Sequence, residues 1–289
     1  MADDGPPLAL DMRRSIREAL RLTPAEGGSI ANLLPEFSNA PVSAAPERGG
    51  PLGGLVAGLA VKAARQQLQL KSPLQSLSVQ FLATARFAPV LLRARSLRGG
   101  RSTAYVEIIG QQGTRQIVAA HALFSVNRDG PALAPPERPP PLPPASLTIF
   151  ETGDPTFPWF HRRFEYRFDP ASRFGQGSHP PYEAVWMRTR DETCLDEARL
   201  CALLDAIYPT FMTSFVGPAP MALTTAIHYE LLEPVAVDAY PDGWIHVEFR
   251  TQHLGQGWAV EDAVAFSPDG RPIALARQRR KIIARGEET

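Results

Sequence analysis

The sequence predicts an α+β fold made of two copies of one unit, a long helix wrapped by a curved antiparallel sheet. Three observations predict it. The stretch "GGPLGGLVAGLAVKAARQQL" (49–68) is almost wholly small or apolar from Pro51 to Ala64, with four glycines between 49 and 54. An order of helix then four long strands occurs twice in the 289 residues. Between the two occurrences lies "PALAPPERPPPLPP" (131–144), holding eight of the 29 prolines.

A helix that is apolar nearly all round must be covered on most sides. The economical cover is a sheet curled around it. Pro51 suits a first helical turn, where its missing N–H has no partner to lose. Gly53, Gly54 and Gly58 cost roughly 1 kcal/mol each in helix propensity, and their expected return is close approach of sheet backbone. The polar end, "KAARQQLQLK", is expected to emerge to solvent.

After this helix come "LQSLSVQFLA" (74–83), "VLLRARSL" (90–97), "STAYVEIIGQ" (102–111) and "RQIVAAHALFSV" (115–126). They are β-branched and aromatic, separated by the turns "RGGR" and "QQGT", and read as hairpin-linked strands. The second half offers a helix over 196–212, then strands over 221–232, 244–253, 258–267 and 272–283. Aligning Gly99 with Gly255 and Gly113 with Gly270 keeps the spacings within one residue, which points to duplication. The predicted division is 1–130, a proline-rich linker at 131–146, and 147–289. The linker favours extended polyproline II; an SH3-type ligand is the sharper alternative. A peripheral helix is expected at about 11–21.

Composition narrows the function. Lys plus Arg and Asp plus Glu are each 30, so no basic nucleic-acid footprint is expected. Two cysteines, Cys194 and Cys201, suit a reducing compartment and packing as small hydrophobes. The longest apolar run is too short to span a bilayer, and "MADDGPP" lacks signal-peptide features. These readings predict a cytoplasmic protein. No G-x-S-x-G elbow, phosphate loop, dinucleotide fingerprint or zinc spacing occurs.

"GGPLGGLVAGLAVKAA", "LQSLSVQFLATARFAPVLLRARSLRGGRSTAYVEI", "LLDAIYP", "TTAIHYELLEP" and "LARQ" resemble the acyl-CoA thioesterase II family and its thioesterase-like relatives. The resemblance runs over about 45–130 and 195–283, with "SVQFL…LRGGRS" its most specific part. It implies a double hotdog fold and hydrolysis of acyl-CoA to free acid and CoA. It implies a catalytic Asp at Asp205 and a Gln at Gln278. The implied hydroxyl position, aligned on the aromatic of "IHY", falls on Ala222. Strand alternation puts 222, 224, 226 and 228 on one face, so Thr224, roughly 7 Å along, is the nearest hydroxyl there. A register shift would bring it to the site; Thr225 should face away. No metal or redox cofactor is implied, and a homodimer is expected.

The same residues can be read from physical chemistry. Asp205 has Cys201 at i−4 and Tyr208 at i+3, which puts it at the border of an apolar helix face. A carboxylate there is either a functional base or a capping group near "YP". Gln278, in "ARQRRK", would otherwise be a surface residue. Pointing inward, the two can hold one water for general-base hydrolysis. Backbone N–H groups of Gly53 and Gly54, at a helix N-terminus, are candidate oxyanion donors. Arg98 and Arg101 are candidates for CoA phosphates; the alternative is solvated turn arginines. His228 is expected on the inner face, as ligand contact or as core. Phe81, Tyr105, Trp186, Phe211 and Trp258 are expected in the core or an acyl tunnel. Two rivals stand beside the hydrolase: a non-catalytic acyl-CoA or ligand-binding protein, favoured by Ala222, and a hotdog hydratase, disfavoured because no D-x-N-P-x-H run occurs.

Overall fold

The computed structural model describes residues 10–11, 13–131, 133, 141–172, 176–177, 180–191, 194–217, 219–236 and 238–283. Most of the proline-rich stretch and the "MADDGPP" segment therefore lie outside the described residues. The helices are α1 (Ile16–Ala19), α2 (Gly53–Leu68) and α3 (Glu197–Leu203). In the first half the strands are β1 (Thr23–Ala25), β2 (Gly28–Asn32), β3 (Leu74–Phe81), β4 (Pro89–Gly99), β5 (Thr103–Gln112) and β6 (Arg115–Ser125). The second half adds β7 (Phe164–Phe168), β8 (Tyr182–Thr189), β9 (Met221–Leu231), β10 (Ile245–Gly255), β11 (Trp258–Phe266) and β12 (Pro272–Ile283).

All twelve strands form one antiparallel sheet in the order β1-β2-β4-β5-β6-β3-β9-β12-β11-β10-β8-β7. Read outward from the β3–β9 junction, the two sides match. β3-β6-β5-β4-β2 on one side mirrors β9-β12-β11-β10-β8 on the other. Gly99 ends β4 as Gly255 ends β10, while Gly113 and Gly270 take positive φ in the equivalent β5–β6 and β11–β12 turns. The two sheets join through β3 and β9, with Ser78 opposite His228. This is the double hotdog arrangement, and one hydrophobic cluster runs through both halves.

Ten of the sixteen residues of α2 are buried, as its all-round apolar sequence requires. The role of its glycines differs from the expectation. A Cβ at Gly54 would lie 2.5 Å from the Cys201 carbonyl oxygen, and one at Gly58 would lie 2.5 Å from that of Ala198. The glycines admit the backbone of the other central helix, α3, and only Gly53 faces the sheet, through Phe81. The polar end of α2 is half-buried and bonded. Arg65 donates to both carboxylate oxygens of Glu197 (2.7 and 2.6 Å), and Gln67 bonds Leu92 O and Ala94 N on β4.

Two further expectations are corrected. The N-terminal helix is a single turn with a capping box between Ser15 and Glu18, and it contributes Ile16 and Ala19 to the core. The helix expected over 196–212 stops at Leu203. Pro209 has no N–H to extend a helix and disfavours helical backbone at Tyr208. The chain makes tight turns at Asp205 and Ala206, then a separate 3₁₀ segment, Thr210–Ser214.

Candidate active site

Asp205 sits on the turn that ends α3, rather than within the helix. Its N–H donates to Ala202 O (3.2 Å), the shorter spacing that closes a helix end. The side chain is 6 % exposed and points at the N-terminus of α2. There the Gly54 N–H donates to Asp205 Oδ2 at 2.7 Å. Close approach makes this possible: a Cβ at Gly54 would lie 2.7 Å from Asp205 Cβ, and one at Gly53 would lie 3.0 Å from Oδ2. Leu52 provides no side-chain cap for α2, so a carboxylate from the other half of the chain does so.

Gln278 and Thr224 reach the same place from the sheet. Gln278 faces inward on β12 and donates from Nε2 to Leu204 O at 3.0 Å, beside Asp205. Thr224 donates from Oγ1 to Gln278 Oε1 at 3.4 Å. A bulge in β9 puts Thr224 there. Ala226 pairs with Arg279 and Thr224 with Arg280, leaving Thr225 as the extra residue. Thr225 is turned away, donating to Arg279 O. The alternation expected from 222 to 228 therefore breaks at the bulge. Ala222 and Thr224 pair with Ile282 and Arg280, on the face of Gln278, while Ala226 and His228 lie on the outer face.

His228 is thus not on the inner face. Its Nδ1 lies 2.6 Å from Ser78 Oγ and its Nε2 2.7 Å from Glu230 Oε1, both on the outer surface. Arg98 and Arg101 are exposed at the β4–β5 hairpin, and no described contact joins them to Asp205. Gly54 is joined to the site through its N–H, which Asp205 already engages. Trp186 and Phe211 are core residues, whereas Tyr105 is exposed.

Three residues not singled out in the sequence complete the shell. Arg280 Nη2 lies 3.6 Å from Asp205 Oδ1 and 3.4 Å from Glu261 Oε1, and its Nη1 donates to Thr224 Oγ1 at 2.8 Å. Thr210 donates to Glu261 Oε2 from both its N–H and its hydroxyl. The "RQRRK" run reads as a basic surface, yet its alternation puts Arg280 on the face of Gln278 and the neighbouring Arg277 outside. Period two along β12 is the signal that separates them.

Burial is the largest influence on Asp205, raising its pKa above the ordinary value of 3.8. Arg280, the Gly54 hydrogen bond and Gln278 act against this rise, while Glu261 adds to it. The result is a carboxylate more basic than a solvated one, with oriented donors on several sides. Burial also raises the Cys201 thiol and the Tyr229 hydroxyl, so both stay neutral, and of the two it is Tyr229 that feels the Asp205 charge.

Comparison with known proteins agrees with this architecture. A structure of a conserved protein of unknown function with a hot dog fold from Alicyclobacillus acidocaldarius superposes with a TM-score of 0.83 at 22% identity, covering 93% of this chain and 98% of that one. The tesB protein of Mycobacterium avium subsp. paratuberculosis gives 0.72 at 17% identity, covering 93% and 98%. An acyl-CoA thioesterase II from Mycobacterium marinum gives 0.67 at 18% identity, covering 95% and 99%. No curated protein matches the chain. No described helix is long and apolar enough to cross a membrane. The family model of the acyl-CoA thioesterase N-terminal domain matches residues 42–125, and that of the C-terminal domain matches residues 135–279, so the chain belongs to the acyl-CoA thioesterase family and is a thioesterase.

Proposed function

We propose that the chain hydrolyses acyl-CoA thioesters with a water held by Asp205, Gln278 and Thr224. The observation that carries this reading is the convergence of a buried carboxylate, an amide and a hydroxyl where α3 ends against α2 and the sheet. In this reading the two repeats span 1–130 and 147–289 and are joined by the proline-rich 131–146.

Asp205 accepts a proton from the water as its oxygen attacks the thioester carbonyl carbon. Its raised pKa suits a general base better than that of a solvated aspartate. The tetrahedral intermediate collapses with cleavage of the C–S bond, and the proton on Asp205 passes to the departing CoA sulfur. Gln278 and Thr224 orient the water. The Gly54 N–H serves the base, since it donates to Asp205. We assign the oxyanion to the Gly53 N–H, one residue earlier at the positive end of α2.

The test is release of free CoA from acyl-CoAs of increasing chain length by the wild type and by Asp205→Asn. The folded variant is expected to turn over roughly a hundredfold more slowly, or worse. Turnover by Asp205→Asn at the wild-type rate would overturn this assignment of the base.

A further inference from the structure

Asp205 shares its buried shell with two other charged groups, and their arrangement is directional. Glu261 is fixed by Thr210, whose N–H and hydroxyl both bond Oε2, leaving Oε1 toward Arg280. The guanidinium of Arg280 lies between Glu261 Oε1 (3.4 Å) and Asp205 Oδ1 (3.6 Å). All three side chains are 7 % exposed or less. The shell therefore carries two negative charges and one positive, away from water.

Arg280 also sets the polarity of the hydrogen bonds around the site. Because Nη1 donates to Thr224 Oγ1, the Thr224 proton turns to Gln278 Oε1. Gln278 is thereby fixed with its NH₂ toward Leu204 O and the Asp205 turn. A guanidinium has donors only, so this direction cannot reverse. Among the described residues, the other groups facing Asp205 carry no competing charge. α2 presents Gly53 and Gly54, β3 presents Phe81, α3 presents the Cys201 carbonyl, and β9 presents the neutral Tyr229 hydroxyl, which donates to that carbonyl.

We propose that Arg280, anchored by Glu261, is a positioning residue that keeps Asp205 ionised and aligns Thr224 and Gln278 around it. The inference rests on Asp205 as the base. Arg280 and Glu261 act on Asp205 with opposite sign, the first favouring its charged form and the second disfavouring it. A purely structural pair would lower activity when broken without moving the pH at which activity fails.

The experiment is the pH dependence of kcat, read as free CoA, for wild type, Arg280→Gln, Arg280→Lys and Glu261→Gln. Activity of the wild type falls as acid protonates Asp205. In Arg280→Gln this acidic limb is expected to move up by about one pH unit, a roughly tenfold loss on the acid side. In Glu261→Gln it is expected to move down, because the remaining cation then faces Asp205 alone. Arg280→Lys, which keeps the charge, should hold the limb near its wild-type position while kcat falls. A limb that stays in place in Arg280→Gln and Glu261→Gln overturns the proposal. If Arg280→Gln does not fold, a limb in Glu261→Gln that is unmoved or raised does the same. Loss of activity in Asp205→Asn with unmoved limbs elsewhere removes only the positioning role. Full activity in Asp205→Asn removes the base itself.

Discussion

The amide nitrogen of Gly54 lies 2.7 Å from Asp205 Oδ2, so the central helix of one repeat holds the carboxylate supplied by the other. The two groups are 151 residues apart in sequence, and no side chain at 54 fits between them. Gly54→Ala would place a methyl 2.5 Å from Cys201 O and 2.7 Å from Asp205 Cβ. Both neighbours are backbone or backbone-fixed, so α2 and α3 must separate. A stability loss of about 1–3 kcal/mol is expected, with at least a tenfold fall in kcat. Gly58→Ala is the control, since its methyl would meet Ala198 O at 2.5 Å, one turn away from Asp205. It should lose similar stability in denaturant melts and retain most of kcat. Equal kcat losses in the two variants would mean that helix spacing, and not the Gly54 hydrogen bond, governs activity.

The bulge at Thr225 turns two adjacent threonines to opposite faces of the sheet. Thr224 lies between Gln278 and Arg280, whereas Thr225 bonds a strand carbonyl on the other side. Thr224→Val leaves Gln278 Oε1 without that donor and Arg280 Nη1 without that acceptor. Each buried polar group left unsatisfied costs about 1–3 kcal/mol, so kcat should fall by roughly tenfold or more. Thr225→Val should leave kcat within about twofold. Steady-state kinetics on the pair decide the matter, and the reverse ranking would place the wrong threonine in the site.

Much of this architecture is legible in the sequence because burial leaves periodic traces. The all-round apolar face of α2 announces a covered helix, and the strand spacings around Gly99/Gly255 and Gly113/Gly270 expose the duplication. Sequence resemblance brings Asp205 and Gln278 together across 73 positions, and the structure joins them through Leu204 O and the Asp205 turn. The losses have physical causes. A bulge is one unpaired residue and leaves no mark on composition, so strict alternation puts His228 on the wrong face. Arg280 hides in a basic run because its neutralising partner, Glu261, lies on the adjacent strand. The flanking strands β7 and β8 carry aromatic and β-branched residues, but their counterparts β1 and β2 are only three and five residues long, too short to show the repeat in the sequence.

The opposite end of α2 carries a structural tie of a different kind. Glu197, the first residue of α3, accepts two hydrogen bonds from Arg65 and a third from the Leu74 N–H that opens β3. One carboxylate thus pins both central helices and the start of the junction strand. Glu197→Ala leaves a half-buried guanidinium and an amide without those bonds, a loss of about 2–4 kcal/mol. The urea midpoint should drop accordingly, while turnover by the folded protein stays close to wild type because Asp205 is at the far end of the helix pair. An unchanged midpoint would show that water replaces the carboxylate at no cost.

Asp205 should also be a source of instability. Its folded-state pKa is raised above 3.8, chiefly by burial, so the folded chain binds this proton more tightly than the unfolded chain does. The sign follows: this group's contribution to stability is most favourable below pH 3.8, declines as pH rises through the folded pKa, and stays lower at pH 7. Asp205→Asn keeps an oxygen to accept from Gly54 and removes the buried charge, while Arg280 retains Glu261. At pH 7 the variant should melt above the wild type. The gap should close as pH falls to below 3.8, where the wild-type carboxyl is protonated in both folded and unfolded chains. Thermal melts of both proteins at the two pH values measure it. A variant less stable than the wild type at pH 7 would mean that attraction to Arg280 outweighs the cost of burial, and the proposed base would then be a stabilising group as well.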